Sequence, residues 1–244
     1  MSLTDKEFES KNKQKINSMK KDKSFLEKGQ SWFKDSWAHE YIYHNNWLGL
    51  PIIQLPQDII ALQEIIWKIK PDLIIETGVA RGGSVIFHAS ILSMIGKGEV
   101  IGIDIDIRDK NRKAIEKHPL FKKITLIQGS SISKKIVNQV YSIAKNKKKI
   151  LVFLDSHHTH NHVLKELKMY SPLVKKGSYV VVFDTIIEDL PKNFFKNRSW
   201  NVGNNPKTAV HEFIKHDKRF KIDKNLENKL VITANPDGFL KCIK

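Results

Sequence analysis

The sequence is poorest in cysteine, because its 244 residues contain only one, Cys242. A single thiol excludes an intramolecular disulfide and any zinc cluster built on cysteines. Long apolar runs are also missing, since no stretch reaches the roughly 18 uncharged apolar residues of a membrane span. The amino-terminal residues lack the apolar core of a signal peptide. We therefore expect no transmembrane segment and a reducing compartment, most simply the cytoplasm.

Arginine is scarce although the chain is strongly basic. Lys and Arg number 42 against 26 Asp and Glu, a formal net charge of +16, and only five of the 42 are arginine. Such an excess suggests an anionic partner, namely nucleic acid, a membrane surface or a phosphorylated substrate. Residues 106–149 carry 13 basic and three acidic residues, and the Asn-Pro-Pro-aromatic motif of base methylation is absent. We interpret the charge as a solvated, composition-driven face and expect no specific nucleic-acid partner.

Composition divides the chain into two parts. Residues 1–46 combine a polar, Lys-rich arm with an aromatic segment that precedes the core, and we expect the arm to be mobile or helical. Residues 47–244 form the second part, which we predict to be one domain. The hydrophobic share of the chain, 41%, is sufficient for a packed core. The arm outside that core makes a homo-oligomer plausible.

Strand-like and helix-like segments alternate from residue 57 onward. Continuous apolar runs, such as 150–154 and 179–183, are typical of strands that are buried on both faces. The alternation predicts an α/β fold with an open, mostly parallel, doubly wound sheet and helices on both sides. The predicted strands are 73–76, 100–105, 124–127, 150–154, 179–183, 220–222 and 230–234. The predicted helices are 59–69, 84–95, 132–144, 162–173 and 207–216.

A glycine-rich segment, ETGVARGGS, runs from Glu76 to Ser84 between the first predicted strand and a helix. Gly78 permits a tight turn, while Gly82 and Gly83 let the backbone approach a ligand closely. In a doubly wound sheet this turn lies where cofactors bind. Its spacing matches neither the G-x-G-x-x-G of dinucleotide sites nor a P-loop. An acid before the glycine suits a cofactor that carries an amine, such as S-adenosylmethionine.

Two further segments are candidates for cofactor binding. Asp104 ends the second predicted strand, where an acid commonly binds the ribose hydroxyls of NAD or of adenosylmethionine. The QGSS segment at 128–131 follows the third predicted strand, where a loop can cover an adenine ring. Ser130 is therefore a second candidate beside Asp104.

Acids and histidines follow two neighbouring predicted strands. Asp155 opens the segment DSHHTHNH, and Asp184 follows the next long apolar run. If the strands are adjacent, both carboxylates reach one edge of the sheet, where they can hold a hard divalent cation such as Mg²⁺. A histidine beside them can serve as a third ligand or as a general base.

The motifs taken in order resemble one family. ETGVARGGS, IGIDID, LDSHHTH, SYVVVFDTIIEDLP, NNPKTAVHEFI and ITANPDGFLK are similar to those of the cephalosporin hydroxylase family, which includes rhamnosyl O-methyltransferases. The resemblance covers the chain from about Trp47 to its end. It implies a Rossmann-like, class I adenosylmethionine-dependent methyltransferase fold with a seven-stranded sheet and an N-terminal helical extension.

The resemblance also assigns roles to residues. It implies that Asp104 binds ribose, that Asp155 and Asp184 hold magnesium, and that the glycine-rich loop binds the cofactor through Glu76, Gly78, Arg81, Gly82, Gly83 and Ser84. The better-known member of the family has an acidic pair after the fifth strand, whereas this chain has Phe183-Asp184. One metal ligand is therefore absent or moved, with Glu188, Asp189 or a histidine as possible substitutes.

These observations predict an S-adenosylmethionine-dependent O-methyltransferase. We expect it to act on a hydroxyl of a sugar, glycolipid or secondary metabolite, with a divalent metal that lowers the pKa of the acceptor oxygen. Asp155 is then catalytic, and His158 or His160 accepts the proton. The aromatic segment and residues 186–206, including Trp200, are expected to contact the acceptor. The alternatives are an iron oxygenase in the same pocket and a nucleic-acid methyltransferase.

Overall fold

The structure is a computed structural model, and it describes residues 4–244. Residues 1–3 of the predicted arm lie outside the described part. The helices are α1 (Asp5–Met19), α2 (Lys23–Trp37), α3 (Pro56–Ile69), α4 (Gly83–Ile95), α5 (Asp109–Glu116), α6 (Lys134–Ala144), α7 (His160–Tyr170), α8 (Pro206–His216) and α9 (Lys224–Glu227). Within residues 4–244, each helix is too short or too polar to cross a bilayer.

Seven strands form the central sheet, and two more form a small separate hairpin. The hairpin pairs β1 (Asn46–Trp47) with β2 (Leu50–Pro51). The sheet contains β3 (Leu73–Thr77), β4 (Glu99–Asp104), β5 (Ile124–Gln128), β6 (Ile150–Leu154), β7 (Tyr179–Val182), β8 (Phe220–Ile222) and β9 (Phe239–Cys242). Their spatial order is β5-β4-β3-β6-β7-β9-β8, and within residues 4–244 only β9 runs antiparallel to its neighbours in this sheet.

The predicted alternation of strands and helices agrees with this architecture. All five residues of β3 and of β6 are buried, because helices cover both faces of the sheet. Successive side chains of a strand point to opposite faces, so Leu73 and Ile75 join one apolar layer and Ile74 joins the other. The carboxyl ends of β3, β4, β6 and β7 therefore meet at one edge of a rigid sheet.

The prediction of a strand at 230–234 is wrong. Val231 has a left-handed backbone, with φ of 59°, which interrupts an extended strand. Thr233 and Ala234 hydrogen-bond to the buried carboxylate of Asp58 in α3 instead of pairing with a strand. The seventh strand is β9, five residues further on, and it pairs with both β7 and β8.

The amino-terminal segment consists of two helices that differ in their packing. The hydroxyl of Thr4 caps α1 in a capping box with Glu7, and α1 buries none of its residues. In contrast, α2 buries Phe33 in a small apolar cluster that also contains Leu55 and Ile186. Tertiary packing therefore begins at α2, within the aromatic part of the predicted 1–46 segment.

Candidate active site

A cavity of about 630 Å³ opens at the carboxyl ends of β3, β4, β6 and β7. It has two halves, one beside the glycine-rich loop and one beside the acids that follow β6 and β7. The predicted site residues that line it are Gly78, Asp104, Ser130, Asp155, His158 and Asp184. The cavity therefore joins the predicted cofactor residues to the predicted catalytic residues.

Close packing explains the glycines of the loop. Gly78 has φ of 90°, and a Cβ atom there would lie 2.0 Å from the carbonyl oxygen of Asp155. At Gly83 a Cβ atom would lie 2.2 Å from the carbonyl oxygen of Pro51. Only glycine fits such approaches, so the loop is pressed between β6 and the hairpin and leaves its outer side to the cavity.

Asp104 fixes the glycine-rich loop from the end of β4. Its Oδ2 accepts hydrogen bonds from the backbone N–H groups of Val79, at 2.9 Å, and Ala80, at 3.1 Å. Its Oδ1 accepts the N–H of Asp106 at 3.1 Å. Because the side chain is partly exposed and lines the cavity, it can also accept hydrogen bonds from a ligand.

The other predicted cofactor residues lie in or beneath the loop and do not line the cavity. Glu76 is fully buried, its carboxylate 3.6 Å from His88 Nε2, and neither side chain has a hydrogen-bond partner among residues 4–244. Arg81 is exposed, whereas Gly82 and Gly83 are buried and Ser84 is half-buried at the start of α4. These residues can shape the loop, whereas Gly78, Asp104 and Ser130 are the predicted cofactor residues that line the cavity.

A polar cluster that the sequence did not predict supports the cofactor half of the cavity. His162 Nε2 lies 3.1 Å from both Ser131 Oγ and Ser156 Oγ. Ser156 Oγ donates to the buried Glu166 at 2.7 Å, and the Tyr170 hydroxyl donates to the Ser131 carbonyl at 2.6 Å. In the sequence, the i, i+4 spacing of His162 and Glu166 could have indicated this cluster, because residues four apart are neighbours on a helix such as α7. The cluster fixes two serines that line the cavity.

Asp155, His158 and Asp184 form the reactive end of the cavity. One donor atom from each lies within 4.8 Å of the others, and His158 Nε2 is 3.2 Å from Asp184 Oδ2. Burial, and then the negative charge of Asp184, raises the pKa of Asp155 well above its usual range. A positive partner would relieve this repulsion. Two carboxylates and an imidazole are donors that can hold a divalent cation, so the residues fit the predicted presence of such a metal.

The position of Asp184 depends on a network that starts at α3. Asp184 has a left-handed backbone, with φ of 55°, and its N–H donates to Asn235 Oδ1 at 3.0 Å. Asn235 is fully buried, and its N–H donates to Thr233 Oγ1 at 2.9 Å. The Thr233 hydroxyl in turn donates to the buried Asp58. Sequence reasoning missed Asp58 and Asn235, because one lies in an apolar helix and the other in a turn-like segment.

Aromatic side chains from distant parts of the chain form the wall beside these acids. Trp200 packs edge-to-face against His158 with ring centres 4.8 Å apart, and the Arg198 guanidinium lies 5.2 Å from the Trp200 ring. Trp37 of α2 packs against Phe195 with ring centres 4.7 Å apart. Like His158, these four residues line the cavity, so the aromatic segment and residues 186–206 meet at the proposed acceptor side.

Three candidate residues lie away from the reactive end. His160 Nδ1 contacts Thr208 Oγ1 at 2.8 Å and its Nε2 contacts Glu212 at 3.1 Å, which joins α7 to α8. Glu188 accepts the backbone N–H of Gly203, and Asp189 pairs with Lys207, among other contacts. Of the proposed substitutes for the missing ligand, the structure brings only His158 to Asp155 and Asp184.

The strand order and the loop define the class of protein. A parallel sheet with one antiparallel strand, β9, between β7 and β8, and a glycine-rich loop fixed by an acid at the end of β4, constitute the class I adenosylmethionine-dependent methyltransferase fold. The chain belongs to the rhamnosyl O-methyltransferase/CmcI family, which matches residues 39–243. The family and the fold predicted from the motif series are thus confirmed.

Curated relatives agree with this assignment. A rhamnosyl O-methyltransferase of Mycobacterium tuberculosis is 30% identical over 212 residues, which are 83% of this chain and 82% of that protein. A rhamnosyl O-methyltransferase of Mycobacterium leprae is 33% identical over 169 residues, which are 64% of this chain and 71% of that protein.

Solved structures share the fold at lower identity. A CmcI structure with Mg and SAM has a TM-score of 0.55 at 19% identity, covering 83% of this chain and 78% of that one. An O-methyltransferase from Bacillus cereus in complex with SAH has a TM-score of 0.52 at 17% identity, covering 91% of both chains.

Proposed function

We propose that the protein is an S-adenosylmethionine-dependent O-methyltransferase that acts, with a divalent cation, on a hydroxyl of a sugar, glycolipid or related secondary metabolite. The observation that carries this proposal is the cavity that joins Gly78 and Asp104 to Asp155, His158 and Asp184. The family and its curated relatives agree with the enzyme class predicted from the sequence.

The cofactor would occupy the half of the cavity beside the glycine-rich loop. Asp104 holds the backbone of Val79 and Ala80 and presents a carboxylate to the ribose hydroxyls. Ser130 and Ser131 line the same half and would lie beside the adenine ring. Since the loop and Ser131 are fixed before binding, the chain's contribution here is to position the cofactor's methyl group.

The acceptor would occupy the other half, with its hydroxyl at Asp155, His158 and Asp184. These three residues would hold the cation, whose charge lowers the pKa of a hydroxyl bound beside it. Trp200 and Trp37 offer apolar ring surfaces on which a sugar ring can pack. The aromatic wall would also limit the access of water to the transferring methyl group.

Of the two histidines predicted to act on the acceptor, we propose only His158 for that role. Its Nε2 lies at the acids, whereas both ring nitrogens of His160 contact residues of α8. A histidine that ligates the cation or accepts the proton must lie beside Asp155 and Asp184, as His158 does. We therefore do not retain His160 as a catalytic residue.

The two alternative activities receive less support. An iron oxygenase requires two histidines and one carboxylate, whereas the group described here has one histidine and two carboxylates. A nucleic-acid methyltransferase would require a basic path to the reactive end. The basic surplus of residues 106–149 belongs instead to α5, β5 and α6, at the β5 edge of the sheet.

Methyl transfer provides the direct test. Protein incubated with methyl-labelled adenosylmethionine and Mg²⁺ or Mn²⁺ should label a rhamnose-containing glycoside, and Asp155→Asn should abolish the transfer. The same incubation with RNA and DNA serves as the comparison. Transfer to nucleic acid alone would contradict the proposal, as would a failure to bind adenosylmethionine with and without a divalent cation.

Two further predictions remain part of this proposal. We place the reaction in the cytoplasm, where adenosylmethionine is made available to such enzymes. We also propose a homo-oligomer, in support of which α1 buries none of its residues within one chain and leaves Phe8 57% exposed. Light scattering on the full chain tests the second point, because a monomeric mass would contradict it.

A further inference from the structure

We infer that His158 is a ligand of the catalytic cation and that the site therefore selects Mn²⁺ over Mg²⁺. This inference rests on the proposed function for the presence of a cation. It goes beyond that function by arguing that the imidazole ligates the cation directly and by naming the preferred metal. It comes from the contacts of His158, the absence of a carboxylate at Phe183, and the chemistry of the resulting donors.

The geometry places the imidazole at ligand distance from its neighbour. Adjacent ligand atoms of an octahedral cation with bonds near 2.1 Å lie about 3.0 Å apart, and His158 Nε2 is 3.2 Å from Asp184 Oδ2. Asp155 completes a group whose donor atoms all lie within 4.8 Å of one another. A cation can therefore bind between these atoms after small movements of side chains.

Packing holds the ring of His158 in this position. The indole of Trp200 contacts it edge-to-face, at 4.8 Å and an interplanar angle of 90°. The side chain of His158 is only 15% exposed, so solvent does not compete freely for Nε2. Since the ring is already oriented, a cation would not have to order it on binding.

Phe183 leaves the end of β7 with one carboxylate instead of two. Its side chain is 3% exposed and packs in the core against Phe153, with ring centres 6.3 Å apart. Glu188 and Asp189, which follow in the chain, are engaged by Asn205 and Lys207. Among residues 4–244, the group at the reactive end is thus two carboxylates and one imidazole.

Donor chemistry then decides the metal. Mg²⁺ prefers oxygen ligands and loses its water reluctantly, whereas imidazole suits transition metals, and Mn²⁺ accepts both carboxylate and imidazole. A site with this composition should therefore bind Mn²⁺ more tightly than Mg²⁺.

Calorimetric titration of the full-length protein with each metal alone tests the inference. The wild type should bind one Mn²⁺ at least tenfold more tightly than Mg²⁺. His158→Ala should weaken Mn²⁺ binding at least tenfold, and His158→Asp, which restores a carboxylate, should reduce the Mn²⁺ preference. His216→Ala, which removes an exposed imidazole at the end of α8, should bind both metals like the wild type.

Pulsed electron paramagnetic resonance supplies a readout that does not depend on affinity. Mn²⁺ bound to the wild type should show coupling to one imidazole nitrogen, and the coupling should disappear in His158→Asp but persist in His216→Ala. Absence of this coupling, equal affinity for the two metals, or no binding of either metal would each overturn the inference. Adenosylmethionine binding, measured without metal, separates these outcomes from failure of the proposed function.

Discussion

Asp58 is a buried titratable side chain that lies outside the reactive end. It is 1% exposed, and burial raises its pKa from 3.8 to about 7. A carboxyl whose pKa is higher in the folded state stabilises the fold only while it is protonated, so stability falls as the pH rises from about 4 to 7. Between pH 5 and pH 8.5 the free energy of unfolding should fall by about 2–3 kcal/mol because of this group.

Urea unfolding of wild type and Asp58→Asn at several pH values measures this loss. Asparagine keeps one oxygen for the N–H of Ala234 and can donate to Thr233, but it does not titrate. The free energy of unfolding of the variant should therefore decline less with pH. Asp155 contributes the same trend to both proteins, and it cancels in the comparison. Parallel pH profiles for the two proteins would show that Asp58 does not titrate as described.

At the residue scale, the sequence identified the candidate site residues that follow strands. It did not identify the buried residues that hold those side chains in position. Asp104, Asp155 and Asp184 could be located because a strand's last residue is readable from an apolar run that ends in an acid. Asp58 and Asn235 could not, because their roles arise from contacts between distant segments: Asp58 binds Ala234, 176 residues away, and Asn235 binds Asp184, 51 residues away. His160 misled for the same reason, since its partner Glu212 lies 52 residues away.

At the scale of elements, the turn between β3 and α4 should be the most sensitive to a single methyl group. Gly78→Ala would add strain at φ of 90° and would place the new Cβ 2.0 Å from the Asp155 carbonyl. We expect it to displace the chain after β6 and to weaken adenosylmethionine binding at least tenfold. Thermal unfolding and calorimetric titration with adenosylmethionine measure both effects.

Gly96→Ala provides the matched control. Gly96 ends α4 with φ of 84°, but nothing lies within 4 Å of a Cβ atom there. Alanine at this position should therefore cost only the strain of a left-handed backbone, about 1–2 kcal/mol of folding free energy. The affinity for the cofactor should not change. Equal loss of cofactor affinity in the two variants would mean that close approach to Asp155 is not what requires Gly78.

Strands and helices were predictable from the sequence where a single hydrophobic pattern dominated the segment. Apolar runs located β3 to β7 to within two residues, and Asn205-Pro206 marked the start of α8, whose cap is the Asn205 side chain. The segment at 230–234 is equally apolar, but Asp58 binds its backbone and side-chain groups and removes it from the sheet. The sequence contains no local signal for that competition, and β9 is only four residues long.

At the scale of the whole molecule, α1 and α2 should contribute differently to stability. Since α1 buries no residue, deletion of residues 1–21 should change the Tm by less than about 2 °C and leave adenosylmethionine affinity unchanged. Phe33→Ala in α2 should cost about 3 kcal/mol, because Phe33 is 5% exposed in a packed cluster. Calorimetric scans of the two variants measure the contrast.

The same deletion also tests the predicted oligomer, since the molar mass in solution should fall if α1 joins chains. A large loss of Tm on deleting residues 1–21 at constant molar mass would contradict the view that α1 lies outside the folded core. The net charge of +16 was a poor guide to function at this scale, because charge counts do not say which face carries them.

The central claim is that the cavity above the glycine-rich loop binds S-adenosylmethionine. Calorimetric titration tests it most directly, on the wild type and on Asp104→Ala, with and without a divalent cation. We expect one molecule of adenosylmethionine to bind per chain, and we expect Asp104→Ala to raise the Kd at least tenfold because the loop and the ribose lose the same carboxylate. No binding to the wild type under either condition would contradict the account.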